Sequence, residues 1–252
     1  MKNTLPFLIL VCLLSSCRSM FAPVMQNAVI LEEKKELEVS ANNNNIQAAY
    51  AISDKIGVMV NGHYRLQMYE EEIIQYRDYY RKQSFMDFAA GYSNNFNDEF
   101  KYSLFAGGGI GFIDNGYEDY TSLTGYEYYK ANSTRLFIQP NAGYTSKFGD
   151  FIFSARLNGH YFKNLSVTDN YYDSDDLQTF LFAPAEPYHF DDQFYLFLDP
   201  AFTFRFGYKF LKFHTQVQYT VALINSTNYQ PIHFNAGITL ELAPRHFKKK
   251  EN

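Results

Sequence analysis

The chain has no tryptophan, two cysteines and few charges, and these scarcities exclude several classes of protein. Charged residues make up 19% of the 252 residues, and the net charge is -5, which excludes a strongly basic nucleic-acid binder. Hydrophobic residues make up 46%, so a disordered polar chain is also excluded. The apolar run from Leu5 to Leu14 is too short for a membrane-spanning helix, which needs about 20 residues.

Aromatic residues are abundant instead. The sequence contains 25 Phe and 22 Tyr, and these two residue types alone give an aromatic content of 19%. Phe and Tyr are enriched in β-strands, so this composition disfavours an all-helical protein.

The N-terminus has the layout of an export signal: Lys2, the apolar run, and then Ser15 and Ser16 before Cys17. Residues 14–17, Leu-Ser-Ser-Cys, resemble the lipobox of bacterial lipoproteins. That resemblance implies removal of a signal peptide, residues 1–16, and lipidation of Cys17. Cleavage there would remove Cys12 and leave no internal disulfide. In the alternative interpretation Cys17 belongs to an ordinary signal peptide and is lost or free.

Two polar segments flank the rest of the chain. Residues 17–36 contain Pro23 and mixed charges from Glu32 to Glu36, which predicts an extended, lipid-anchored periplasmic tether. Residues 243–252 include Lys248, Lys249 and Lys250 and are predicted to form a basic, solvated periplasmic tail.

Between these segments, apolar and polar residues alternate with the period of half-buried strands. In the block from Leu196 to Tyr208, for example, Phe202, Phe204 and Phe206 share one face. The pattern predicts ten strands, with ends uncertain by about two to four residues. They are residues 37–41, 45–52, 56–66, 85–95, 100–112, 134–147, 151–162, 194–208, 210–223 and 231–242.

The predicted connections alternate between short turns and long polar loops at 67–84, 113–133 and 163–193. This asymmetry is typical of an outer-membrane barrel. Such barrels have an even strand number, so residues 42–45 are expected to form a turn that divides the first two strands. The predicted fold is all-β: an antiparallel up-and-down transmembrane β-barrel over residues 37–242, with ten strands and a range of eight to twelve. An even count places both termini on the periplasmic side.

Alternation alone does not distinguish a membrane barrel from a soluble one, because either face can point inward. Aromatic residues crowd the strand ends beside the short turns, as in a membrane-interface girdle. They are Tyr92, Phe96, Phe100, Tyr102, Tyr144, Phe148, Phe151, Phe153, Phe206, Tyr208, Phe210 and Phe213. The opposite face is polar, and in a membrane barrel it would line the lumen, where Asp87, Asp199 and Glu241 are expected to pair with cations. That face includes Asn61, His63, Arg65, Asp87, Lys101, Arg135, Gln139, Asn141, Arg156, Asn158, His160, Asp199, Arg205, Lys212, His214 and Glu241.

The last predicted strand resembles the signal that the outer-membrane barrel assembly machinery recognises, through Asn235, Gly237, Leu240 and Leu242. It departs from the commonest pattern by ending in Leu rather than Phe and by carrying a tail. Residues 37–242 as a whole resemble small outer-membrane β-barrel proteins of Gram-negative bacteria, in a lipoprotein-signal variant. The resemblance implies an outer-membrane location with extracellular loops, and it implies membrane lipids and the assembly machinery as partners. It implies no particular chemistry.

Motifs for catalysis or cofactor binding are missing from the sequence. Residues 107–111 are glycine-rich but lack the Gly-Lys-Ser/Thr of a phosphate loop, so close strand packing is the expected role. Zinc and serine-hydrolase motifs do not occur either, and no cofactor or metal is expected. The lumen histidines, at 63, 160, 214 and 233, are expected to join the polar network of a filled barrel.

Three functional interpretations remain open. The loop at 163–193 is rich in Asp and Tyr, which favours a structural or surface-binding role with an unknown extracellular ligand, and no nucleic acid. His189, Asp191 and Asp192 are weak catalytic candidates at the outer rim, where some outer-membrane proteases use Asp and His. A rim-active hydrolase is therefore one alternative. A channel is the other, and it would be narrow because about ten strands leave an interior largely filled by side chains.

Overall fold

A computed structural model describes residues 22–71, 77–97, 99–119, 125–146, 148–169, 193–208, 210–225 and 229–247. These residues form eleven strands and one four-residue helix. The strands are β1 (Leu37–Asn42), β2 (Asn45–Ala51), β3 (Ile56–Glu71), β4 (Arg77–Asn95), β5 (Phe100–Asp119), β6 (Gly125–Thr145), β7 (Gly149–Asp169), β8 (Phe194–Tyr208), β9 (Leu211–Tyr219), β10 (Val221–Ile224) and β11 (Ile232–Leu242), and the helix is α1 (Pro244–Phe247).

The strands close into an antiparallel barrel with ten positions around its wall. Each strand from β1 to β8 pairs with the next, and β11 pairs with both β9 and β1. β10 is the extra strand: it continues β9 after a break at Thr220 and pairs with β8 further along. The predicted all-β, ten-stranded barrel is confirmed, including the turn between Asn42 and Asn45.

Two of the predicted long loops are wrong. β3 and β4 pair as far as Glu71 and Arg77, through most of residues 67–84, and β5 and β6 pair as far as Asp119 and Gly125. Strands β3–β7 therefore have 16 to 21 residues each, whereas β1 and β2 have six and seven. Main-chain pairing continues there because inward side chains such as Ile113 and Ala131 stay buried, although outward ones such as Lys130 and Asn132 are polar and exposed.

The two ends of the barrel differ. At the short-turn end lie the connections after β2, β4, β6 and β8, together with the start of β1 and the end of β11. At the loop end lie the connections after β1, β3, β5, β7 and β10. These two names are used below.

The polarity of the wall is inverted relative to a soluble protein. Outward side chains are large and apolar, such as Leu104, Phe153 and Phe202, each about half exposed. Inward side chains are polar, and Arg135, Gln139, Arg156 and His160 are at most 1% exposed. The aromatic side chains predicted beside the short turns are also exposed on the outer face, and only Tyr144 among them is half-buried.

The chain before β1 does not run freely outside the barrel. Residues 22–31, called the lumen segment here, lack regular secondary structure and are buried inside the lumen, with Ala22, Val24 and Val29 at most 1% exposed. The tether expected at 17–36 was based on polarity and mixed charge. Those features belong only to residues 32–36, which lie at the short-turn end.

The glycines of β5 make room for large side chains of β4. A Cβ atom on Gly109 would overlap the carboxylate of Asp87, and one on Gly111 would overlap the ring of Phe85. The predicted close packing in this glycine-rich stretch is therefore confirmed, since these glycines lie opposite Asp87 and Phe85 within the paired strands.

We expect Gly109→Ala to destabilise the barrel by about 1–3 kcal/mol, because the added methyl group collides with Asp87 and with the carbonyl of Met86. The measurement is the temperature at which the folded band is lost in an unheated-versus-heated gel series. Gly62→Ala is the matched control, since its Cβ would meet no atom closer than 3.9 Å. Equal stability of the two variants would contradict the packing argument.

Candidate functional site

The lumen segment is held by its backbone. The carbonyl oxygens of six consecutive residues, Val24 to Val29, each accept a hydrogen bond from a wall side chain. The donors are Gln218 to Val24 (3.5 Å), Gln47 to Met25 (3.4 Å), Gln216 to Gln26 (3.1 Å), Gln139 to Asn27 (2.7 Å), Arg205 to Ala28 (2.8 Å) and Ser103 to Val29 (2.7 Å). The donors come from β2, β5, β6, β8 and β9, so the segment lies near the centre of the lumen.

Three apolar clusters line the lumen around the side chains of the segment. Val24 packs in a cluster with Phe85, Ile113, Ala131, Phe162, Tyr195 and Phe197. Val29 and Leu31 pack with Ala49, Ala51, Met59, Ala89, Phe105 and Phe137, and Ala28 and Ile30 pack with Ile152. The inward apolar residues of the wall are thus covered by the segment.

Little free space remains beside the middle of the segment. A cavity of about 10 Å³ lies there between Gln26, Ala28 and wall residues that include Thr203, Arg205 and Gln216. That volume holds at most one water molecule. The segment therefore occupies most of the space beside these wall residues.

Ion pairs stiffen the wall behind the segment. Arg135 forms a bidentate pair with Asp87, Arg205 pairs with Glu38 at 2.8 Å, and Lys212 bridges Asp150 (2.8 Å) and Glu241 (2.9 Å). Pairing was expected for Asp87, Asp199 and Glu241, and the structure shows it for Asp87 and Glu241. Among the described residues, Asp199 has no such pair.

A charged cluster closes the short-turn end, and we call it the clasp: Glu32, Glu33, Glu36, Lys101, Glu241 and Arg245. Arg245 contacts Glu32, Glu33, Glu36 and Glu241, while Lys101 pairs with Glu32. Burial raises the pKa of Glu36 to about 7, against the opposing effect of Arg245. Burial opposes the charge of Arg245, but the hydrogen bond and charge of Glu36 outweigh it and raise the pKa of Arg245. The clasp joins the chain before β1 to the chain after β11.

The lumen histidines make separate contacts with polar and aromatic neighbours. His160 contacts Ser133 Oγ at 3.1 Å and Asn158 at 2.8 Å and stacks on Phe162, while His214 contacts Thr239 at 2.9 Å. Within the described ranges, the structure brings no three His, Cys, Asp or Glu residues together as metal ligands.

The other predicted residues fall into two groups. Cys17, His189, Asp191 and Asp192 lie outside the described residues, as do the signal peptide at 1–16 and residues 248–252. Asn235, Gly237, Leu240 and Leu242 lie on β11, which closes the barrel against β1, and the two leucines point outward. Their assembly role stays a prediction.

The sequence analysis missed the lumen segment. Its signal was the apolar run Val29-Ile30-Leu31 inside a stretch classed as a polar tether, together with the many Gln and Asn residues on the inward face. Such amides are neutral donors that suit a nearby backbone carbonyl.

No helix in the part of the chain that the structure describes is both long and apolar enough to span a bilayer.

We expect Arg205→Met to destabilise the protein by about 3–5 kcal/mol, because it leaves the buried carboxylate of Glu38 without a cation and the Ala28 carbonyl without a donor. Denaturant unfolding in detergent micelles, followed by circular dichroism, measures the change. The double variant Glu38→Gln/Arg205→Met removes the unpaired charge and should recover part of the loss. A double variant no more stable than Arg205→Met would show that the pair is not the cause.

Comparison with known proteins adds no relative: no protein-family model, no curated protein and no solved structure matches this chain.

Proposed function

We propose that this protein is an outer-membrane barrel lipoprotein whose lumen is closed by its own N-terminal segment. In this proposal it acts as a structural or surface-binding protein rather than as an open pore. The observation that carries the proposal is the inverted polarity of the wall: apolar side chains outside, polar and charged side chains inside. Water would penalise such an outer face, whereas hydrocarbon favours it.

The pattern at the short-turn end supports the same location. Exposed Phe and Tyr side chains surround that end. The ring of Phe148 stacks on that of Tyr208 with 6.2 Å between the ring centroids, and the ring of Phe206 stacks on that of Phe213 with 5.7 Å between them. Aromatic rings with one apolar and one hydrated side settle at the boundary of a bilayer. In outer-membrane barrels the short turns face the periplasm, so the loop end would face outward.

The uneven wall favours a role at the surface. A strand crosses a bilayer with about 9–11 residues, whereas β6 and β7 have 21 residues each. About ten residues of each strand therefore extend beyond the hydrocarbon, and Tyr and Asp are frequent in the sequence that follows β7. A rigid wall of this kind offers a contact surface with little entropy to lose on binding.

We expect Phe202→Arg to reduce membrane insertion strongly. Phe202 lies in the middle of β8 between Phe153 and Val217, faces outward and is 50% exposed. Arg at the midplane of a barrel costs about 2–4 kcal/mol. The fraction of heat-modifiable protein in outer-membrane preparations measures insertion, and Phe202→Leu is the control. A mature wild-type chain that stays soluble without detergent would contradict the proposal.

The filled lumen distinguishes a closed barrel from a channel. In planar bilayers we expect no steady conductance from the wild-type protein and a measurable conductance after deletion of residues 22–31, because the deletion empties the centre of the lumen. A deletion of equal length within residues 170–192 is the matched control and should leave the barrel closed. Steady conductance of the same size in all three proteins would favour the channel.

A further inference from the structure

The contacts of the lumen segment follow one direction through the barrel. At the short-turn end, Glu32 pairs with Lys101, the second residue of β5. Further in, Val29 accepts a hydrogen bond from Ser103, and Gln26 accepts one from Gln216, the sixth residue of β9. Ala22 donates its N–H to Gln83 at 3.2 Å. From Glu32 back to Ala22, the chain therefore runs in one direction, from the short-turn end towards the loop end.

Ala22 is far from the short-turn end. Gln83 lies twelve residues along β4 from Asn95, where that strand meets the short turn. At about 3.3 Å per residue and a tilt near 40°, this is about 30 Å along the barrel axis. Cys17 is five residues from Ala22, and five residues span at most about 18 Å. The lumen below Ala22 is already filled by the segment itself.

We propose that the chain leaves the barrel through its loop end, so that acyl chains on Cys17 insert into the membrane leaflet at that end. This inference rests on the proposed function, which supplies the membrane and the lipidated cysteine. It reverses the expected placement: the anchor lies on the outer side of the membrane, opposite to the C-terminal α1 and the clasp. The partner is the lipid of the outer leaflet beside the barrel rim.

This path fixes the lumen segment at both ends. The clasp holds residues 32–36 at one end, and the acyl chains hold residue 17 at the other, because each methylene group is stabilised by burial in lipid. Because a ten-stranded barrel has no room for acyl chains beside its wall residues, the barrel must close around the segment during assembly.

The test is the accessibility of a single thiol on intact cells. The Ser19→Cys variant carries a thiol between the anchor and Ala22, and a membrane-impermeant maleimide reports its side of the membrane. Asp175→Cys, in the connection between β7 and β8, and Asn252→Cys, at the C-terminus, are the reference variants. We expect Ser19→Cys to be labelled as strongly as Asp175→Cys, and at least about tenfold more than Asn252→Cys before permeabilisation.

The two reference variants distinguish the orientation of the barrel in the membrane from the path of the chain through it. If Asp175→Cys is labelled only after permeabilisation, the orientation in the proposed function is wrong, and the threading inference still requires Ser19→Cys to behave like Asp175→Cys. If Ser19→Cys instead follows Asn252→Cys, the threading inference is overturned.

Wild-type protein tests the acyl group, because an acylated Cys17 has no free thiol to label and Cys12 leaves with the signal peptide. Incorporation of radioactive palmitate into wild type, and its loss in Cys17→Ala, would support the lipid anchor. Maleimide labelling of the wild type, or palmitate retained in Cys17→Ala, would overturn it.

Discussion

Polar side chains that point into the lumen need hydrogen-bond or ion-pair partners, and this requirement shapes the inner face of the wall. An outer face that suits hydrocarbon leaves the polar residues nowhere to point but inward. A buried amide or guanidinium without a partner costs about 1–3 kcal/mol or more. The wall meets part of the cost with ion pairs such as Arg135 with Asp87. The lumen segment meets another part, because its carbonyl oxygens accept hydrogen bonds from wall side chains such as Gln47, Gln139 and Arg205.

The same constraint explains why neutral amides are so frequent inside the barrel. Gln139, for example, donates to Asn27 O and to Asn141, while its own oxygen accepts from Arg156. One side chain thus connects the segment, a neighbouring amide and a buried cation. A charged residue in its place would add a desolvation cost that a carbonyl oxygen does not offset. The wall thus binds the lumen segment through backbone carbonyl oxygens, which do not depend on the side chains of the segment.

Most of the wall could be predicted from the sequence, because a strand with an apolar outer face and a polar inner face must alternate. β8 was predicted with the bounds it has, Phe194 to Tyr208. Phe202 and Phe206 face outward there, while Asp199 and Arg205 face inward. Alternation did not reveal the parts of β3–β7 nearest the loop end. Outward side chains there, such as Lys130 and Asn132, are polar, although inward ones such as Ile113 and Ala131 are buried. The lumen segment was equally hidden, since a chain in the centre of a barrel has no inner and outer face. Its position becomes visible only through its hydrogen-bond donors, which lie on five different strands.

Among the described residues, the strands of the wall have uneven lengths. The five long strands β3–β7 lie side by side, while β1 and β2 form a short hairpin. The barrel wall is therefore not equivalent around its axis, and its loop end has a long-stranded flank and a short-stranded one.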